Sequence, residues 1–373
     1  TLLPESEYLQ IVKIQDRYGF TVLHYTKNPE CILSLLPTSE RLQAVGLRDN
    51  DGRTVLHDVA SDNYESIRKV LTLLPESQHL HFVCMKDQKG MTVMHHAAKS
   101  GNVESIKYIL ALLPESQRLQ AVCLQNEKGK TALHYVARSG NYELIGCILT
   151  LLPESQRFLA VNMQDEKGWT VLHKTVRSGN IESVKLVLAL YPKSELPQAL
   201  CTQTDRGIAL FCAVLTDHSE WIDTILSPLS ESELQSAVSL KDDSGRTVLH
   251  HAAVRDNYET IQNILQLLPE SQRSKVVDIR DRRGRTVLEY DGWKTRDPVF
   301  DMFPELFSKS QKRPRGSSSD TEDGDDDEEP EAKRHRSTSP LIEDDWGLQS
   351  QSDLEEAYDS DSQEFRLYSD TEE

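Results

Sequence analysis

From Val103 to Leu113 the apolar residues Ile106, Ile109, Leu110 and Leu113 recur at i, i+3, i+4 and i+7. That spacing places them on one stripe of an amphipathic helix. Ahead of it, Met91 to Ala98 reads as a shorter helix, with Ala97 and Ala98 small enough to admit a close neighbour. Ser100-Gly101-Asn102 separates the two, and Gly101 suits a left-handed helix end. Pro114 stops the second helix and can open another at its first position. Residues 115–122 then supply one or two further turns, with Leu119 and Val122 facing inward. Asp87 to Gly90 is a turn, because Asp bonds its own backbone and Gly accepts a positive φ. The unit is therefore turn, helix, helix and short third helix.

This pattern repeats. Gly19, Gly52, Gly90, Gly129, Gly168, Gly207, Gly245 and Gly284 mark eight copies, each opening a Gly-x-Thr-x-Leu-His-like phrase, at steps of 33 and then 38 or 39 residues. Self-similarity at such a period predicts a stack of small units. One unit cannot cover its own apolar face, so neighbours must stack, and function belongs on the long surface they build.

Composition narrows the picture. Formal net charge is −18 over 373 residues. Residues 308–373 hold 8 Lys+Arg against 21 Asp+Glu, a net of −13. The rest is only mildly acidic. The six cysteines form no C-x-x-C pair, and Cys84, Cys123 and Cys201 each precede a repeat glycine by six residues. They are repeat positions rather than a disulfide framework, consistent with a reducing compartment. No apolar run approaches a membrane span. The chain opens at Thr1 inside an LLPES phrase that elsewhere closes a repeat, which suggests further sequence upstream.

The phrases DGRTVLHDVA, KGMTVMHHAAKSGNVE, KGKTALHYVARSGNYE, KGWTVLHKTVRSGNIE and SGRTVLHHAAVRDNYE resemble the ankyrin repeat, over residues 2 to about 290. The resemblance implies an all-α solenoid of helix-turn-helix repeats with short β-hairpin tips. Two features depart from the usual pattern. Val or Ala replaces Pro in Thr-Pro-Leu-His, and the period exceeds the usual ~33 residues, the surplus lying in the PESQRLQAV segment. Long repeats with LLPES-type phrases are similar to ankyrin proteins of intracellular bacteria, the Legionella-like effectors. The first copy lacks about a helical turn before Leu35, with Pro29 inside it. In the sixth, Ala209, Phe211 and Cys212 replace Thr, Leu and His, predicting a looser joint. The eighth carries Glu289 for His and reads as a degraded cap, with Phe300, Phe303 and Phe307 over the last face. Residues 1–307 form the expected solenoid and 308–373 a disordered acidic tail.

Several features imitate chemistry. Gly129-Lys130-Thr131 resembles the end of a phosphate loop, yet Leu124 stands where the loop needs glycine. His24, His57, His95, His134, His173 and His250 recur once per repeat at one position, which is the mark of a structural histidine. His79, His81, Cys84, His95 and His96 match no zinc spacing. No HExxH, GxSxG or GxGxxG phrase occurs. The chain reads as no enzyme, with no metal and no cofactor.

Family resemblance places the binding face on the hairpin tips and the exposed side of the inner helix. Tip positions carry Lys89, Met91, Lys128, Lys130, Lys167, Trp169 and Arg206, and the matching inner-helix position carries Lys99, Arg138 and Arg177. The acidic residues at these tips, Glu127 and Glu166, are fewer, so the middle repeats would present a basic strip with one exposed tryptophan, fit for an acidic protein. The other reading is that these lysines are ordinary solvated turn residues. The net charge argues against nucleic acid, and a monomer with no membrane attachment is expected.

The tail's run at 317–329 cannot bury enough apolar surface to fold. Flanking it, Lys312-Arg313-Pro-Arg315 and Lys333-Arg334-His-Arg336 look like nuclear-import signals for an import receptor. Ser317, Ser319, Ser352 and Ser369 precede acidic residues as acid-directed kinase sites do, and Ser339 precedes Pro340. Phosphates there would mask the import clusters. Apolar residues at 340–348 and 365–368 sit among acids like docking segments; a solubilising role is the other reading. A tail of this charge is also a candidate to compete for the basic strip. The chain therefore reads as a non-catalytic scaffold binding a protein on its concave face, in the nucleus or cytoplasm, and in a host nucleus if it is an effector. A cytoplasmic retention factor for a transcription factor, or the binding module of an enzyme encoded upstream, are the alternatives.

Overall fold

A computed structural model describes residues 5–62, 64–204, 208–215, 221–290, 302, 303 and 306. The chain divides into two units, Thr1–Arg313 and Pro314–Glu373, and every described residue lies in the first.

The third repeat shows how sequence becomes structure. Thr92 adopts extended backbone and caps the helix Val93–Ser100, closing a reciprocal cap with His95. Gly101, at φ +73°, ends that helix in the left-handed conformation. The Asn102 side chain then accepts from the Ser105 N–H and starts the helix Val103–Leu112. Ile106, Ile109, Leu110 and Leu113 are all buried. Pro114 caps the third helix, Glu115–Cys123. There the buried stripe is Ala121 and Val122, while Leu119 is only half-buried.

In five of the repeats the extra segment has a defined task. Four residues after its proline, Arg118 turns back and donates to the Leu113 carbonyl (3.1 Å) and, across the joint, to Leu151 (3.0 Å). Arg41, Arg157 and Arg273 make the same return to their own second helices. His79 takes the same place, its Nε2 lying 3.0 Å from Leu71 O and 3.2 Å from Leu74 O. Carbonyls at a helix C-terminus lack intrahelical partners, so a cation there is doubly suited. The phrase PESQR is thus the capping device of the helix before it.

Among the described residues the tips are tight turns with hairpin-type backbone bonds and no strand. Asp87 donates to Met91 O at 2.9 Å, and Gly90 to Asp87 O at 3.0 Å. One oxygen of the tip acid accepts two backbone N–H groups, from Lys89 (2.9 Å) and Met91 (2.7 Å). Asn126 and Asp165 repeat this geometry. Each tip also bonds to the next, as from Glu127 N to Lys89 O and from Glu166 N to Lys128 O, both 3.1 Å. The approach is close enough that a Cβ on Gly129, at φ +67°, would lie 2.6 Å from Glu166 N.

The atypical repeats differ as their sequences require. In the first, the inner helix shrinks to Val22–Tyr25 and the second begins at Pro29 and ends at Leu33. In the sixth, Phe211 and Cys212 are buried in the apolar core, and the Phe211 ring lies 5.0 Å from that of His251. In the eighth, Glu289 caps the Thr286 N–H in place of histidine, over a single 3-10 turn, Val287–Glu289. Phe303 is buried beneath the Arg273 guanidinium, 4.8 Å away, and Leu306 is buried beside the same core. Phe300 and Phe307 lie outside the described residues.

Candidate functional site

The recurring histidines are structural. In His95 the ring Nδ1 accepts from the Thr92 backbone N–H at 3.0 Å. That assigns the proton to Nε2, which donates to Lys130 O of the next repeat at 2.8 Å. His134 ties to Trp169 O (2.8 Å), His24 to Arg53 O (3.3 Å) and His250 to Arg285 O (3.2 Å). His57 and His173 reach Met85 O and Thr202 O instead. Burial holds His57, His95, His134 and His173 down at about 4, so each remains neutral at physiological pH.

The remaining metal-like candidates are also spoken for. His79 faces helix-end carbonyls, and His96 meets Asp87 Oδ2 at 2.8 Å. Burial pushes the Cys84 thiol up to about 11, which leaves it protonated and a poor ligand.

The basic strip is assembled by the tips. Lys89, Lys128 and Lys167 are exposed, each directly before a repeat glycine, and the tip bonds hold Lys89 and Lys128 one rung from their successors. Lys99, Arg138 and Arg177 are exposed in the last turns of three inner helices, where a cation complements the helix C-terminus. Lys130 is half-buried with its ammonium 5.8 Å from the Tyr135 ring centre. Its pKa is lowered by burial first, then by Lys128 and Arg138. That response to like charge places these three cations within one electrostatic neighbourhood.

Trp169 corrects the sequence expectation. Instead of being exposed, the indole is 3% accessible. The Lys174 ammonium lies 4.2 Å above the ring and the Arg177 guanidinium 5.3 Å from it. An indole gains more under two cations and against the core than in water. Met91 is likewise buried, at 5% accessible. Both side chains support the strip from beneath rather than offering contact area. Arg206 lies outside the described residues, as do Lys312, Arg313, Arg315, Lys333, Arg334 and Arg336 and the five candidate phosphoserines.

Sequence reading missed Lys174. It bonds the buried Asp165 carboxylate at 3.0 Å, and burial lowers its pKa to about 8 despite that partner. The signal was a fixed offset of nine residues from the tip acid. At that offset Tyr25, His96, Tyr135, His251 and Tyr290 also reach their tip residues. Asp58 holds the same position in the second repeat, opposite Asp49. Burial raises its carboxyl to about 7 against the opposing Arg53 charge, with Asp49 and Asp62 adding to the rise.

The family described as ankyrin repeats matches three overlapping stretches, residues 22–118, 67–156 and 111–205. Residues 22–205 are ankyrin repeats. No curated protein sequence matches the chain. Among solved structures, the ankyrin repeat domain of Bcl-3, described as a unique member of the IkappaB protein family, superimposes with a TM-score of 0.52. Identity is 16%, over 68% of this chain and all of that one. At that identity the likeness speaks to the fold, and it supports an ankyrin-repeat solenoid. Among the described residues, no helix is long and apolar enough to cross a membrane.

Proposed function

We propose that the chain is a non-catalytic adaptor whose basic strip binds an acidic segment of a protein partner. One observation carries this reading. Three consecutive repeats place lysine at the same tip position and Lys or Arg in the last turn of the same helix. The exposed Glu127 and Glu166 stand beside two of these lysines, yet the six cations outnumber them, and an anionic partner relieves the excess. Lys312-Arg313-Pro-Arg315 and Lys333-Arg334-His-Arg336 extend the proposal to nuclear entry through an import receptor. In the reading drawn from effector-like repeats, the nucleus is a host cell's.

The test is crosslinked capture from nuclear and cytosolic extracts, comparing the intact chain with Lys128→Glu/Arg138→Glu/Lys167→Glu. All three residues are exposed, so the variant should keep its circular dichroism and Tm. A partner lost with the variant supports the strip. Partners retained at unchanged yield and unchanged salt dependence reject it. Import of a fluorescent fusion, with and without the two basic clusters, tests the nuclear part.

A further inference from the structure

The strip changes sign between the second and third repeats. Tip bonds run from Asn50 N to Tyr18 O (2.9 Å), Gln88 N to Asp51 O (2.8 Å), Glu127 N to Lys89 O and Glu166 N to Lys128 O. They fix Tyr18, Asp51, Lys89, Lys128 and Lys167 as consecutive rungs of one row. A parallel row, nine residues past the tip residue, reads Tyr25, Asp58, His96, Tyr135 and Lys174. The first row passes from aromatic through acidic to basic; the second begins aromatic and acidic and ends on Lys174, with Tyr135 interrupting it.

The second tip sets Asp49, Asp51 and the exposed Asp62 against two guanidinium groups: Arg53 bonds Asp49 at 2.9 Å and Asp51 at 3.0 Å, and Arg48 donates to Gly52 O at 3.1 Å. Asp58, raised to about 7, adds only part of a charge, so the balance there is mildly negative. The aromatic end already engages cations. Arg17 lies 4.5 Å from the Tyr18 ring centre and Arg53 lies 5.8 Å from that of Phe20. Phe20 packs edge-on to Tyr25 at 5.4 Å. Tyr18 and Tyr25 are nonetheless 41% and 58% exposed. Rings that seat guanidinium groups, next to carboxylates, suit an Arg or Lys side chain.

We propose that the strip selects its partner by charge order: an extended segment whose Arg/Lys-bearing end lies over Tyr18, Tyr25 and Asp51 and whose acidic remainder follows Lys89, Lys128 and Lys167. The proposal rests on the strip being the binding face. A uniformly acidic segment would run its end onto Asp51 and Asp62, and like charges set face to face are a strong discriminator. Packed helices sit about 8–10 Å apart and an extended chain rises about 3.3 Å per residue. Each repeat thus spans about three partner residues, and the acidic part should run for about nine.

Fluorescence anisotropy of the full chain tests this with three labelled peptides of about a dozen residues. One carries an Arg/Lys block joined to an Asp/Glu block, one the same residues with the two charges alternating, and one Asp/Glu throughout. The block peptide should bind about tenfold tighter than the other two. Asp51→Lys/Asp62→Lys, at two exposed positions, should abolish that preference and improve the all-acidic peptide. Equal binding of all three, or of the block and alternating peptides, overturns charge order while leaving the basic strip as an acidic-segment site. If no peptide binds and Lys128→Glu/Arg138→Glu/Lys167→Glu leaves captured partners unchanged, both readings fail together.

Discussion

At the residue scale, one histidine per repeat does two jobs with one tautomer: Nδ1 closes its own helix start and Nε2–H reaches the next repeat. Protonation would remove the acceptor that the threonine N–H needs. His57, His95, His134 and His173 sit at about 4 in the fold against about 6.5 unfolded. The unfolded chain therefore binds more protons between these values. Their contribution is complete above pH 6.5 and is lost as pH falls toward 4. Urea midpoints should decline steadily from pH 7 to pH 5. Asp58 has the opposite sign: raised to about 7 in the fold, it is disfavoured when ionised. Asp58→Asn should raise the unfolding free energy from urea denaturation at pH 8 by on the order of 1 kcal/mol after screening, with the gain shrinking below pH 7. The structural role of these histidines was legible from their strict recurrence. The buried state of Trp169 was not, because a tip position says nothing of which neighbour folds over it.

At the element scale, the lengthened repeat is explained by its third helix. Arg118 holds the end of its own second helix and the matching end of the next. Arg118→Ala should lower unfolding free energy by about 1.5–3 kcal/mol, the usual worth of hydrogen bonds to a charged group, in chemical denaturation. Arg118→Lys should restore only part of that, since an ammonium cannot fork between two carbonyls. Gly129→Ala tests the tip instead. Its positive φ and a Cβ 2.6 Å from Glu166 N predict a loss greater than the ~1 kcal/mol that glycine-to-alanine strain alone brings. Helix order and boundaries near Val93, Val103 and Glu115 followed from the apolar period, the asparagine caps and the prolines. The capping by Arg118 did not, because the sequence shows a basic residue on a solvated face and not the carbonyls it folds back to meet.

At the scale of the whole molecule, repeats communicate only with neighbours, so the weakest joint sets how the stack opens. The sixth repeat replaces the threonine–histidine pair with Ala209 and Cys212, and its apolar residues Phe211 and Cys212 are buried. Loss of the threonine–histidine pair predicts faster amide exchange across Ala209–Leu226 than across Val93–Leu112, measured by hydrogen–deuterium exchange. Equal protection would show that this pair is dispensable to the joint. The basic strip is also a property of this scale. Lys89, Lys128 and Lys167 are 39 residues apart in sequence and become one row only through the tip bonds.

The sequence alone determined the repeat, its register, the all-helical stack and the basic character of the middle tips, because each rests on local spacing of residue types. Tertiary structure decided what spacing cannot express. It put Trp169 under Lys174 and Arg177, set Asp58 against Asp49, and turned Arg118 onto two helix ends. Each depends on which side chain reaches which neighbour, and reach is fixed by packing between repeats rather than by order along the chain.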